Sequence, residues 1–160
     1  MDLQLIFFLQ FGLSLVVFGL LASWYATPWL AQRSLEVALM FLLIPHTFRH
    51  LGMAFLVPAL NQPGMPEGFS TAAAYGDLLS GILALVAMIA LKGSWSMAIP
   101  IVWVTNIIGT ADLANALRHD EAILYMGTTW LIPTFIVPVL LVTHFMIFSR
   151  LMRSASSPRV

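Results

Sequence analysis

Residues 45–50 read Pro-His-Thr-Phe-Arg-His, so two histidines and an arginine stand inside an apolar run from Leu35 to Leu60. Histidine changes charge near neutral pH and can shuttle a proton; arginine presents a rigid fork of donors to a carboxylate, phosphate or carbonyl. On a helix His46, Arg49, His50 and Met53 lie along one stripe. Two aspartates, Asp77 and Asp112, occur in later apolar runs, with Gln10 and Asn115 as neutral polar companions. Such a set suits recognition of a small molecule combined with acid–base chemistry. His46, His50, Asp77 and Asp112 are the candidate proton-transfer groups. Arg49, Asn115, Gln10 and Met53 are the candidate ligand-holding groups, Arg49 facing an anionic or carbonyl group.

Other chemistries fit the residues less well. The His46/His50 spacing is that of a zinc-binding helix, but Thr47 stands where the HExxH motif needs Glu. Cysteine is absent, which excludes thiolate-held zinc, iron–sulfur clusters and thiol nucleophiles. No metal site is expected, and no cofactor is assigned. A haem held between two histidines needs them at equal depth on facing helices. His144 falls about 9 Å from the level of His46, counted at 1.5 Å per residue, and His119 lies in a connecting segment. The single lysine, Lys92, sits at the end of an apolar run, so a retinal-type Schiff base is excluded.

The elements that position these residues are set by composition. The chain has 160 residues, 60% of them hydrophobic and 9% charged, with mean hydropathy +0.93. A soluble domain carries about 25% charged residues, so this chain lacks the charge to cover a water-facing surface. Zero net charge with no basic patch argues against nucleic-acid partners. Five apolar runs of helix-spanning length follow one another, over approximately 4–24, 35–60, 72–91, 97–117 and 124–149. None shows strand alternation, so the expected fold class is all-α: one polytopic domain, a bundle of five transmembrane helices. The first run has Asp2 and no basic residue ahead of it, which reads as a retained span rather than a cleaved leader.

Orientation follows from the basic residues. Arg33, Lys92, Arg150, Arg153 and Arg159 fall on one side, and Arg118 on the other beside Asp120 and Glu121. The positive-inside rule places the N-terminus outside and the C-terminus in the cytoplasm, as in a bacterial-type inner (plasma) membrane. Counted from the cytoplasmic helix ends, Arg49, His50, Asp77 and Asp112 each fall at about 21–22 Å, Gln10 near ~20 Å, His46 near ~16 Å and Asn115 near ~27 Å. His144 comes out near ~8 Å on the same count. Residues from four helices thus meet in one layer in the outer half of the bilayer. Arginine at a span centre costs about 2.5–3.5 kcal/mol, so Arg49 is expected to pair with an aspartate. Small residues Gly76, Ser80 and Ala84 recur every four positions and suit close helix packing.

In length and span count the chain resembles the tryptophan-rich sensory proteins and the emopamil-binding sterol isomerases. The repeated Trp-Pro signature of the first and the acidic arrangement of the second are absent, so no residue carries over. The leading expectation is a membrane protein that binds a lipid or other hydrophobic small molecule, in its sharpest form an isomerase or lipid-modifying enzyme. A proton-coupled carrier using the same charges, and a structural subunit in which they only fix packing, are the alternatives.

Overall fold

The structure is a computed structural model that describes residues 2–156; Arg159 lies outside the described residues. All regular structure among the described residues is helical. Five long helices follow in order: α1 (Leu3–Ala31), α2 (Leu35–Leu56), α3 (Glu67–Lys92), α4 (Ala98–Ala116) and α5 (Thr128–Ala155). Four of them, α1, α2, α3 and α5, are long and apolar enough to cross a membrane. The fourth helix is diluted by Asn106, Asp112 and Asn115 and falls outside that set.

Prolines shape three of these helices. The sequence suggests a connection from Tyr25, yet α1 continues to Ala31 through a π turn at Ala22–Ala26. Pro28 has no N–H to give the ladder, and the Thr27 N–H reaches back to the Ala22 carbonyl instead. The same device recurs in α5, where a π turn at Ile132–Ile136 precedes Pro138 and the Val137 N–H bonds the Ile132 carbonyl. In α2, Pro45 lies inside the α-helical half, Leu35–Thr47. From Phe48 to Leu56 the chain winds more tightly, as a 3₁₀ helix. Asn61 then caps that end, its amide donating to the carbonyls of Ala54, Phe55 and Val57 at 3.1–3.3 Å.

The middle helix, α3, packs against both halves of α2 and against α4. Its buried face is built from small residues, Ala73, Ala74, Ser80, Gly81, Ala84, Ala87 and Ala90, which let backbones approach closely. Toward the Lys92 end the bundle closes around Leu39, Leu43, Ala84, Val102, Ile147 and Leu151. Toward the opposite end Phe55, Phe69, Ala73 and Ala122 form a smaller cluster. The first helix lies against α5 with only Phe7 buried between Leu3 and Leu21, while Leu30 near its far end enters the main core. Polar side chains gather between the two apolar clusters.

Candidate functional site: an arginine between two aspartates

Arg49 lies at the centre of that polar layer, its side chain fully covered. All three guanidinium nitrogens are engaged. Nε donates to Asp77 Oδ1 at 2.8 Å, Nη2 to Asp112 Oδ2, and Nη1 to the Gly109 carbonyl at 2.9 Å. The expected pairing of Arg49 with an aspartate is therefore present, and both aspartates take part. A buried ion needs this, because an unpaired charge in an apolar interior is far too costly to keep.

Three glycines make the room. A Cβ on Gly52 would overlap the Asp77 carboxylate, and one on Gly76 the Asp112 carboxylate. A Cβ on Gly109 would press on Arg49 Nη1 at 3.0 Å and His144 Cε1 at 2.8 Å. The carboxylate oxygen that Arg49 leaves free in each aspartate lies over one of these glycines. Gly76 thus does more than permit helix packing.

Beneath Arg49 lies a second polar set, in which the sequence candidate His46 meets Asn106, Thr143 and His144, a grouping that sequence reasoning missed. The Asn106 amide donates to the His144 carbonyl (3.2 Å), which leaves Asn106 Oδ1 to accept from His144 Nδ1 (2.6 Å). His144 Nε2 is then the lone-pair nitrogen, and it faces Arg49 Nη1 at 3.5 Å. The His46 ring stacks obliquely on His144, with centroids 4.1 Å apart. Thr143 donates to the Val139 carbonyl at 2.8 Å, so its oxygen accepts from His46 Nε2 at 2.9 Å. The other nitrogen, His46 Nδ1, has no hydrogen-bond partner among the described residues.

The depth count misplaced His144 because it ended the fifth span at Ser149. The helix continues to Ala155, so His144 is eleven residues from that end, as His46 is from Leu35. Equal depth does not make a haem site, since rings 4.1 Å apart leave no space for a porphyrin between them. No group of three or more His, Cys, Asp or Glu among the described residues is arranged to hold a metal ion.

The other sequence candidates lie apart. His50 is exposed, with Nδ1 3.0 Å from the Thr47 carbonyl. The 3₁₀ winding explains this: at three residues per turn Arg49 stays in line with His46, and His50 is carried round by a third of a turn. Asn115 is exposed, and Met53 is half-buried without a polar role. Gln10 is exposed and accepts from Trp130 Nε1 at 2.6 Å, tying α1 to α5.

A partly enclosed cavity of about 70 Å³ lies beside the ion pairs, on the side away from Lys92. Asp77 and Asp112 line it, together with Phe7, Phe8, Phe55 and Phe69, while Leu113, Ile132 and Val137 complete its apolar wall. His119 and Asp120, from the connection after α4, line it as well. His119 also bonds the exposed Glu121 at 2.8 Å, and that contact holds the Glu121 carboxyl below its ordinary pKa. Neither His46 nor His50 reaches the cavity.

Residues 6–152 match the domain of unknown function DUF8737. The chain belongs to the DUF8737 family. No curated protein and no solved structure matches it. The Arg49 triad, both histidines of the second polar set and the whole cavity lining fall inside this DUF8737 region.

Proposed function

We propose that this protein is a five-helix integral membrane protein that binds a small amphipathic molecule in the outer half of the bilayer. In this reading α4 crosses the membrane too, the N-terminus faces outward and the C-terminus lies in the cytoplasm of a bacterial-type cell. Arg33, Lys92, Arg150 and Arg153 at one end, against Arg118 alone beside Asp120 and Glu121 at the other, support that orientation. One observation carries the binding role: a partly enclosed, largely apolar cavity is lined by the carboxylates of Asp77 and Asp112. A buried network that served packing alone would have no reason to border open space. The cavity holds several times the roughly 10–15 Å³ that one water requires.

His46 and His50, the candidate proton-transfer histidines, do not support a proton-shuttling isomerase, since both lie away from the cavity. Carrier function finds no support either, because the Lys92 half is closed by aliphatic packing. Binding is what the geometry favours. Native mass spectrometry of the protein in nanodiscs drawn from its own membrane tests it, with Ala116→Phe as the comparison. Ala116 lines the cavity and bonds none of the charged groups, so the larger ring fills the space and leaves the ion pairs intact. Wild type should carry a bound small molecule that Ala116→Phe lacks at unchanged thermal stability. A wild-type protein with nothing bound would leave only the packing role.

A further inference from the structure

From the cavity's walls we infer the chemical class of the group it receives: a small organic ammonium. The inference rests on the binding reading above and adds the ligand's charge. Two carboxylates share a single guanidinium, giving the site a formal charge of −1. The guanidinium side chain is wholly covered, whereas both carboxylates keep some exposure and border the cavity. A ligand therefore meets acceptors and negative charge. The expectation that Arg49 grips an anionic group is reversed, because its donors are all directed into the protein. Asp120 adds a third carboxylate to the lining.

The remaining walls choose among cations. Phe55 and Phe69 stand edge to face at 5.2 Å, and Phe7 and Phe8 at 5.5 Å, so two phenyl pairs border the same space as the acids. Ring faces attract an ammonium through their quadrupole, and the attraction grows when water is excluded. An alkali or alkaline-earth ion needs a shell of several oxygens to replace its hydration, which a wall of phenyl and alkyl groups cannot supply. An alkylammonium instead donates N–H groups to the carboxylates and lays its carbons against the rings. Asp77 borders the cavity, is 92% buried, and has one oxygen, the one over Gly52, with no hydrogen bond among the described residues, so the carboxylate retains unused acceptor capacity. A neutral alcohol would find the acceptor but leave the charge unanswered.

Isothermal titration calorimetry in nanodiscs at fixed ionic strength tests this, with n-butylammonium chloride against n-butanol. Butylammonium should bind saturably and at least tenfold more tightly than butanol, and sodium chloride should not compete. Phe69→Leu, which removes a ring and no charge, should weaken butylammonium by roughly three- to tenfold. Asp112→Asn should weaken it further. Equal binding of amine and alcohol would overturn the ammonium assignment and leave the cavity as an apolar binding site. So would no response to either probe while Ala116→Phe still strips a co-purified molecule. Failure of both probes, with nothing bound to wild type, would overturn the assignment together with the binding reading.

Discussion

Arg49 is the residue on which the interior depends. It is the largest fully buried side chain, and its partners come from α3 and α4, so its three contacts draw three helices together. Removing one member of a buried ion pair leaves an uncompensated charge and typically costs about 3–5 kcal/mol. Asp77→Asn should stop at the low end of that range, about 3 kcal/mol, because Arg49 keeps Asp112 as its counter-ion. Asp112→Asn should cost less, about 1–3 kcal/mol, because its carboxylate is more exposed (17% against 11%) and water screens part of the loss. Arg49→Lys should be as damaging as Asp77→Asn, since one ammonium cannot reach two carboxylates and the Gly109 carbonyl from a fixed backbone. Unfolding in a mixed-micelle denaturant titration reads all three. Asp77→Asn with wild-type stability would show that the pair does not hold the helices. The pairing itself was legible in the sequence, because a mid-span arginine has no alternative to finding a carboxylate. Its second neighbour, His144, was not, because depth along a helix is only as good as the helix end it is counted from.

At the scale of the element, glycines decide how closely helices can approach. Alanine is ordinarily the better helix former, by about 1 kcal/mol, so Gly→Ala in an open helix position stabilises. Gly12 and Gly19 on α1 have open space where a Cβ would stand, and substitution there should stabilise by up to about 1 kcal/mol. Gly52→Ala and Gly76→Ala should do the opposite, losing about 1–3 kcal/mol, because the new methyl displaces a carboxylate that Arg49 holds. Thermal unfolding of the four variants checks the change of sign; stabilisation at all four would mean the ion-pair site is loosely packed. Nothing in the sequence separates these pairs, since contact between helices is not a local property. The same limit explains His50. Helical periodicity put it beside His46 and Arg49, but tightening of the helix after Pro45 turned it outward, and local pattern does not report where an α-helix becomes 3₁₀.

The whole molecule poses the question of how many times the chain crosses the bilayer. Four helices satisfy length and hydropathy alone, and α4 carries the polar residues Asn106 and Asp112 that would be prohibitive facing lipid. In this fold they do not face lipid: Asn106 is fully buried against His144, and Asp112 is held by Arg49. Satisfied internally, they no longer oppose insertion, and α4 packs along α3 as a neighbour of similar direction reversed by the short turn at residues 93–97. The absence of cysteine makes the test direct, because each introduced thiol reports alone. Gln62→Cys, Ser94→Cys and Glu121→Cys sit in the connections after α2, α3 and α4. With five crossings, a membrane-impermeant maleimide should label positions 62 and 121 in intact cells and reach 94 only after permeabilisation. Were α4 not to cross, 94 and 121 would fall on the same side and react alike. That outcome would also move the acidic cavity away from the outer half of the bilayer, since its lining at Asp120 belongs to the connection that follows α4.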